Sequence, residues 1–336
     1  MLRKHFFICL CFVTLTFFST SKAENIIKLG IIGVDTSHVI SFTEYINSPQ
    51  NNTGCKIVAA YPGGSPDIPS SVDRIEGFTT TLRDKFNVEM VESIEELCQK
   101  VDGILLISLD GRCHLKQIIP VIKAKKPVFV NKPAGGNLED IITMFQLAKE
   151  NNVPCWSSSS LRFSSGIAIM LKNENVGQIL GCDAFGPCYL EPHHPDLYWY
   201  GIHGVEILYT IMGTGCQTVT RIYTEDTDIA VGIWSDGRVG TFRGIRKGAK
   251  PYGALVYGDK GVIRSGDDVG GEPMAKEIIT FFKTGKAPVA AEETIEIYAF
   301  MTAADISKKE NGSAVSIPDL ILKTNNNLSG KLKDVR

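Results

Sequence analysis

The chain has 336 residues, of which 43% are hydrophobic and 21% are charged, and its formal net charge is −2. This length provides for two domains with full hydrophobic cores, and the composition is that of a globular protein, which excludes disordered and fibrous classes. A mildly acidic chain without runs of Lys or Arg also lacks the positive surface that nucleic-acid binding requires.

The first 23 residues differ from the rest of the chain. Arg3 and Lys4 precede an apolar stretch from Phe6 to Phe18, and residues 21–23 (Ser-Lys-Ala) have the small-x-small pattern of a cleavage site. This order predicts a secretory signal peptide, because the apolar stretch is too short to span a bilayer comfortably. An uncleaved membrane anchor is the alternative. We therefore expect an exported protein, periplasmic or secreted, without stable membrane insertion after cleavage near Ala23.

Cysteine usage gives little further constraint. Seven cysteines follow residue 23, an odd number without Cys-x-x-Cys spacing. Neither a metal site nor a disulfide scaffold is indicated by this pattern. One disulfide is compatible with an oxidising compartment, but the sequence does not pair it.

Strand and helix patterns alternate from Ile26 to about Ser158. Continuous apolar strands separated by helices predict a parallel sheet that is buried on both faces. Ligands of such sheets bind beyond the carboxyl ends of the strands, so the residues just after each strand matter most. Ser93 and Glu96 form a capping box that marks the start of one helix. The predicted strands are 26–34, 56–61, 103–108, 127–131 and 153–157, and the predicted helices are 39–47, 71–86, 93–100, 113–125 and 138–151.

A different pattern follows Ser160. The turn Ser235-Asp-Gly-Arg238 between two apolar runs predicts a β-hairpin. Together these elements predict an α+β domain on a mostly antiparallel sheet, and the Asn-rich tail after Lys323 is predicted to be loose. The predicted domains are 1–23 (signal peptide), 24–154 and 155–336. The predicted helices are 165–173, 204–212, 273–283 and 292–309, and the predicted strands are 178–184, 229–234, 239–245, 253–257 and 261–264.

Five stretches in order carry a family resemblance. They are "LDGRCHL" (109–115), "AKKPVFVNKPAGGNLED" (124–140), "GIHGVEILYTIMG" (201–213), "WSDGRVGTFRG" (234–244) and "VYGDKGVI" (256–263). They resemble the Gfo/Idh/MocA family of sugar and cyclitol oxidoreductases over residues 27–318. The resemblance implies a Rossmann-type domain followed by an α+β domain with an open antiparallel sheet. It also implies NAD or NADP as cofactor, a small carbohydrate or polyol substrate, and a homo-oligomer that pairs through the open sheet.

The resemblance assigns catalysis to Lys132 and His203. A His with an ordinary pKa of about 6.5 is suited to take the proton of a substrate hydroxyl. A Lys at the carboxyl end of a strand can stabilise negative charge that develops on the oxygen. The alternatives are a solvated strand-end lysine and a histidine that packs between the domains.

Two acids of the family pattern are replaced in this chain. The Glu before the catalytic lysine is Asn131, and the Asp four residues before the histidine is Trp199. His203 therefore needs another partner. Sequence proximity alone names the candidates Tyr198, Tyr200, Glu191 and Asp196.

The cofactor fingerprint departs further from the family pattern. "IIKLGIIGVDTSHV" (26–39) resembles the first strand and turn of a dinucleotide-binding fold, but the second and third glycines of G-x-G-x-x-G fall on Asp35 and His38. We expect the Asp35 carboxylate to cap the helix N-terminus itself and to repel phosphate. The acid that takes the ribose hydroxyls is also replaced, by 61–64 (Tyr-Pro-Gly-Gly). The candidate cofactor-binding residues are Gly33, Asp35, Thr36, Ser37, His38, Ser108, Asp110 and His114.

A metal site is a further alternative at the same cleft. Two His and two Asp side chains at strand ends and helix starts would suit a divalent cation. No pair of them has the spacing of ligands on one helix, and we assign no metal. The residues weighed are Asp35, His38, Asp110, His114, Lys132 and His203.

The predicted function is therefore an exported oxidoreductase that acts on a sugar, cyclitol or related polyol by hydride transfer with NAD or NADP. The alternative is an exported carbohydrate-binding protein or non-redox enzyme on the same fold that has lost nicotinamide dependence. The changed fingerprint favours this alternative. So does export, because free nicotinamide cofactor is scarce outside the cytoplasm.

Overall fold

The computed structural model describes residues 26–265 and 271–331, and the predicted signal peptide lies outside them. The first domain is built on a six-stranded sheet in which all neighbouring strands are parallel. Their spatial order, β3-β2-β1-β4-β5-β6, is that of a Rossmann-type sheet, so the predicted fold class of this domain is confirmed. In chain order the strands are β1 (Ile27–Ile32), β2 (Cys55–Tyr61), β3 (Glu89–Met90), β4 (Gly103–Leu106), β5 (Val128–Asn131) and β6 (Cys155–Ser158).

Helices cover the two faces of this sheet, as its continuous apolar strands require. The predicted cap residue Ser93 accepts a hydrogen bond from the Glu96 amide at 3.1 Å. The Glu96 carboxylate accepts from the Glu92 amide, one residue earlier than in a capping box. The helices are α1 (His38–Asn47), α2 (Pro69–Phe86), α3 (Ile94–Lys100), α4 (His114–Lys123) and α5 (Leu138–Glu150).

The second domain carries a seven-stranded sheet with the order β12-β11-β7-β10-β9-β8-β13. Its neighbouring strands are antiparallel except β7 and β10, so the prediction of a mostly antiparallel sheet is confirmed. The strands are β7 (Ile179–Pro187), β8 (Cys216–Tyr223), β9 (Thr227–Trp234), β10 (Val239–Ile245), β11 (Gly253–Gly258), β12 (Val262–Arg264) and β13 (Val315–Ser316). The later helices are α6 (Ser165–Leu171), α7 (Gly201–Met212), α8 (Glu272–Thr284), α9 (Ala291–Lys309) and α10 (Ile317–Lys331).

The parallel sheet extends beyond the predicted domain boundary at residue 154. β6 pairs with β5 and places Ser158 opposite Asn131. Helix α8 also returns to the first domain, where the Phe281 ring lies 6.0 Å from the ring of Trp156. These contacts join segments that are distant in the chain, and the composition of either segment does not reveal them.

Helix α7 packs closely on the second sheet. A Cβ atom on Gly204 would lie 2.1 Å from Cε2 of Phe242 in β10, so only glycine allows this approach. The contact fixes the position of the preceding residue, His203, relative to the sheet. The glycine therefore helps to place a predicted catalytic side chain.

Residues 324–331 are helical, so the prediction of a loose tail was wrong for them, and residues 332–336 lie outside the described part of the chain. Helix α10 runs to Lys331, and Leu328 on it is buried in the core. Gln146 in α5 donates a hydrogen bond to Asn325 at 2.9 Å. The Asn-rich sequence gives only a weak helix signal, because few apolar residues anchor this helix. Their role becomes clear only from their contacts in the folded protein. Strand β8 was also missed, since most of its side chains are at least partly exposed.

Two further properties of the described residues concern membrane helices and disulfides. Among the helices in 26–265 and 271–331, none is long and apolar enough to cross a membrane. The seven cysteines after residue 23 all have free thiols.

Candidate active site between the two domains

A cavity of about 360 Å³ lies between the domains at the carboxyl ends of β1 and β5. This volume corresponds to about a dozen water molecules, so it suits a molecule of about twelve non-hydrogen atoms, the size of a hexose or a cyclitol. The first domain contributes Thr36, Ser37, His38, Ser70, Arg74 and Lys132 to its lining. The second domain contributes Trp199, Tyr200, His203 and Tyr252.

Lys132 directly follows β5 and points its ammonium group at the cavity. Its Nζ lies 5.3 Å from the centre of the Tyr200 ring, a cation–π distance. Burial, and after it the positive charge of Arg74, lower the pKa of Lys132 to about 8. The lysine is therefore still mainly protonated at pH 7 and is easily deprotonated above pH 8.

His203 faces the same cavity from α7. Its side chain is buried, and its Nδ1 lies 2.6 Å from Oγ of Ser159. Burial, with the positive charges of Lys132 and His38, lowers the pKa of His203 well below its ordinary value. The imidazole is therefore neutral at pH 7. Its Nε2 has no hydrogen-bond partner among the described residues, so it remains available to a ligand.

The partner of His203 is Ser159, which the sequence did not single out. The Ser159 hydroxyl also accepts a hydrogen bond from the Leu161 amide at 3.2 Å. A serine hydroxyl holds the ring without adding a charge, so it orients the imidazole but raises its basicity less than the family's aspartate would.

The residues named by proximity to His203 have other contacts. The Glu191 carboxylate lies 2.7 Å from Nδ1 of His193 and 2.8 Å from Nδ1 of His194. Asp196 forms ion pairs with Arg221 and Lys308, and the Tyr198 hydroxyl bonds to Thr302. Only Tyr200 adjoins the imidazole, with ring centres 5.8 Å apart.

A buried ion pair supports the face of α7 that carries His203. Glu206, one turn after His203, accepts hydrogen bonds from Ser158 at 2.7 Å and from Arg162 at 2.6 Å. Arg162 also pairs with Glu293 at 2.5 Å. This network connects α7 to the end of the parallel sheet. It therefore fixes the position of one side of the cavity relative to the other.

The N-terminus of α1 opens onto the cavity. Ser37 is the N-cap residue, and its side chain makes no capping hydrogen bond. His38 stacks on Phe42 with ring centres 5.0 Å apart, and its buried Nδ1 has no hydrogen-bond partner among the described residues. Burial first, and then the charge of Lys132, lower the pKa of His38 to about 4. His38 is therefore neutral across the physiological range.

Asp35 does not cap α1, which corrects the prediction made from its position. Its carboxylate is fully buried and accepts hydrogen bonds from the Leu109 amide at 2.8 Å and from the Ser71 hydroxyl at 2.6 Å. Burial raises the pKa of Asp35 above its ordinary value, and these two hydrogen bonds partly oppose the rise. The carboxylate is held by one partner from the segment after β4 and one from α2.

The loop after β2 covers the same region. The Pro62 carbonyl accepts a hydrogen bond from the Val34 amide at 2.8 Å. The Ser65 hydroxyl donates to Asp110 at 2.6 Å, and Arg112 pairs with Asp110 at 2.8 Å. Burial would raise the pKa of Asp110, but hydrogen bonds from His194, Arg112 and Ser65 hold it far below its ordinary value. Asp110 is therefore an anion that is already neutralised by the protein.

Three other predicted cofactor residues contact other parts of the protein. The two ring nitrogens of His114 lie 3.0 Å from the Ser108 carbonyl and 3.3 Å from the Ala134 carbonyl. The Ser108 hydroxyl donates to Gln117 at 2.8 Å. Gly33 has a φ of +87°, and a Cβ atom there would lie 2.3 Å from Cα of Ser108. These residues pack the ends of β1, β4 and β5 against one another.

The structure thus divides the predicted site residues into two groups. Lys132, His203, Thr36, Ser37 and His38 line the cavity. The others are not among the lining residues. Sequence reasoning missed Ser70, Arg74 and Tyr252 in the lining, and Ser159 as the partner of His203. Among the described residues no cluster of His, Cys, Asp and Glu has the arrangement of a metal site. The remaining predicted residues, which do not line the cavity, are Gly33, Asp35, Ser108, Asp110 and His114.

The fold and the site define a class, namely two-domain α/β proteins with a Rossmann-type domain and a cleft in front of an open sheet. The sequence profile described as "Oxidoreductase family, NAD-binding Rossmann fold" matches residues 27–159. This profile is that of the Gfo/Idh/MocA family, so the resemblance identified in the sequence is confirmed over residues 27–159.

Solved structures extend the likeness to the second domain. A probable dehydrogenase from Thermotoga maritima superposes with a TM-score of 0.71 at 20% identity, covering 87% of this chain and 99% of that one. A scyllo-inositol dehydrogenase from Lactobacillus casei with bound NAD(H) and scyllo-inositol gives 0.70 at 17% identity, covering 87% and 99%. An oxidoreductase from Agrobacterium radiobacter in complex with NAD+, L-tartaric acid and magnesium gives 0.69 at 14% identity, covering 88% and 99%. At these identities the likeness is one of fold. No curated protein matches the sequence.

Proposed function

We propose that this protein is an enzyme that acts on a sugar, cyclitol or related polyol in the cavity between the domains. The observation that carries the proposal is that Lys132 from one domain and His203 from the other line a single cavity. The rings of Trp199, Tyr200 and Tyr252 give that cavity the aromatic faces on which a sugar ring stacks. The scyllo-inositol and L-tartaric acid bound by two similar structures support a polyhydroxylated ligand.

The two side chains have complementary protonation states for this chemistry. Neutral His203 accepts a proton from a substrate hydroxyl through Nε2, while Ser159 holds the opposite ring nitrogen. Protonated Lys132 donates a hydrogen bond to the same oxygen and stabilises its developing negative charge. When His203 gives up this proton, both side chains are again in their starting protonation states.

The family implies NAD or NADP, which would accept hydride from the carbon that carries this hydroxyl. In Rossmann folds the dinucleotide lies where the strand order reverses, here between β1 and β4. In this chain Asp35 bridges the ends of β1 and β4, and Ser65 links the loop after β2 to Asp110. A buried carboxylate stands where the backbone would receive pyrophosphate. The residues present do not fit the dinucleotide, and we derive no step through it.

We therefore favour a non-redox enzyme without an exchangeable nicotinamide cofactor, in which loss of the hydroxyl proton to His203 accompanies cleavage of a neighbouring bond in the ligand. The proton then passes to the fragment that leaves with the electron pair of that bond. Hydride transfer to NAD or NADP is the second candidate. The profile match of residues 27–159 and the hydroxyl groups of Thr36 and Ser37 at the cavity favour it. This second function requires the contacts of Asp35 to rearrange.

Mass spectrometry of small molecules released from natively purified protein tests the choice between these functions. We expect a polyhydroxylated compound and less than a tenth of an equivalent of nicotinamide dinucleotide. The control is a double variant, Lys132→Ala with His203→Ala, which should release less of the same compound. Stoichiometric NAD or NADP in the released fraction would establish the redox alternative.

We also propose that the protein works outside the cytoplasm, on the evidence of residues 1–23 alone. The mature chain recovered from cells should begin at Glu24, because the peptide bond after Ala23 follows the small-x-small pattern. N-terminal sequencing of the soluble fraction checks this. Soluble cytoplasmic protein that retains Met1 would contradict export.

A further inference from the structure

The cavity carries an unbalanced positive charge. Arg74 on α2 and Lys132 after β5 both face it, and the imidazoles of His38 and His203 complete the polar lining. No Asp or Glu is among the lining residues in the part of the chain that the structure describes. A polyol without charge requires no such arrangement, since hydroxyl groups and neutral amides suffice to bind it.

The two cations of the cavity have no carboxylate partner among the described residues, although Lys132 lies over the Tyr200 ring and the Arg74 side chain is exposed. The other arginines at the domain junction are neutralised: Arg112 pairs with Asp67 and Asp110, and Arg162 pairs with Glu206 and Glu293. Arg74 and Lys132 form no ion pair with a described carboxylate. They oppose each other instead, since the charge of Arg74 contributes to the lowered pKa of Lys132. Such a pair is stabilised when an anion enters between its members.

The end of α1 adds donors to the same wall. Its first turn contains no acidic residue, and His38 at its start lines the cavity. The N-terminal amide groups of a helix carry a partial positive charge and favour an anion. Arg74, Lys132 and the start of α1 thus converge on one side of the cavity, while His203 and the aromatic rings occupy the other.

We infer that the ligand of this cavity is anionic, a sugar or polyol that bears a carboxylate or a phosphate, and that Arg74 binds the anionic group. The inference rests on the proposed function, because it assigns the substrate class of the same site. The anionic group lies toward Arg74. The reacting hydroxyl then lies between Lys132 and His203.

Calorimetric titration with matched ligand pairs tests the inference. The pairs are glucuronate with glucose, gluconate with sorbitol, glucose 6-phosphate with glucose, and L-tartrate with erythritol. We expect the acid of at least one pair to bind at least tenfold more tightly than its neutral partner, a preference that falls as ionic strength rises. The carboxylate and phosphate members identify which anion the cavity prefers.

The variant Arg74→Gln should abolish most of this preference while leaving the affinity for the neutral partner within about twofold. Arg83→Gln is the matched control, because it removes the same charge from an exposed position on α2 where Arg83 pairs with Asp84. The control should keep the full preference. Near-ultraviolet circular dichroism of both variants verifies that α2 remains folded.

The outcomes separate this inference from the proposed function. Equal or tighter binding of every neutral partner would overturn the anionic assignment and leave the polyol function intact. A preference that survives Arg74→Gln would overturn the role of Arg74. If no member of any pair binds, the proposed polyol function itself is contradicted.

Discussion

Replacing Lys132 or His203 with alanine is expected to lower turnover of the identified substrate by about 10²–10⁴-fold, the usual contribution of positioned acid–base groups. The two side chains face one cavity from different domains, so each loss removes one half of the proton-transfer pair. Steady-state kinetics on purified variants measures the effect. Because both side chains are buried at the junction, thermal unfolding of each variant must also be compared with the parent.

Two further variants show whether the loss is chemical. Lys149→Ala removes an exposed lysine at the end of α5 and should leave turnover unchanged. Ser159→Ala should lower kcat by about tenfold with little change in KM, because it frees the imidazole from its orienting partner. Full activity of both Lys132→Ala and His203→Ala would reject the roles that the family resemblance assigns.

The pH dependence of kcat/KM distinguishes a chemical role of these side chains from a structural one, because a residue that only supports the fold would not shape this profile. The pKa of His203 lies well below its ordinary value, and that of Lys132 is about 8. In the pH range between these two pKa values His203 is neutral and Lys132 is protonated, which is the combination that the reaction needs. Activity should be flat through neutral pH and should fall as Lys132 loses its proton near pH 8. Lys132→Arg keeps its charge at high pH, so its remaining activity should lack this alkaline fall.

The sequence predicted the large elements because their signals are local. The apolar run of β1 and the helical period of α5 each lie within about fifteen residues, where hydrophobic periodicity is readable. Lys132 and His203, which the sequence placed at a strand end and a helix start, both line the cavity, because such positions in this fold meet at the cleft.

The contacts that decide the chemistry are not local, and the sequence did not reveal them. Ser159 and His203 are 44 positions apart, and Asp35 and Leu109 are 74 apart. Arg74 lies on an exposed helix whose composition is ordinary. Asp35 shows the consequence most clearly. Its place in the fingerprint predicted a helix cap, whereas partners brought in by β4 and α2 determined where its carboxylate points.

Asp35→Gly is expected to tighten the binding of NAD or NADP by about five- to several-hundred-fold, starting from a parent protein that binds either one weakly. Repulsion between the carboxylate and a phosphate charge at about 4 Å accounts for about 1–4 kcal/mol, and its removal is the source of the gain. The glycine also restores the close backbone approach that pyrophosphate requires. Calorimetric titration with both cofactors at low and high salt measures the change, which should shrink as salt screens the charge.

Asp35→Asn separates the two causes, since it removes the charge but keeps the side-chain volume. If charge alone excludes the dinucleotide, Asn should match Gly. If the volume of the side chain excludes the dinucleotide, Asp35→Asn should bind the cofactor as weakly as the parent protein does. Both variants weaken the links to Leu109 and Ser71, and each lost hydrogen bond to this buried group should cost about 1–3 kcal/mol of stability, which thermal unfolding will register. Micromolar binding by the parent protein, unchanged in Asp35→Gly, would instead mean that the carboxylate is accommodated beside the cofactor. In that case the Rossmann crevice is functional and the protein is a nicotinamide-dependent dehydrogenase.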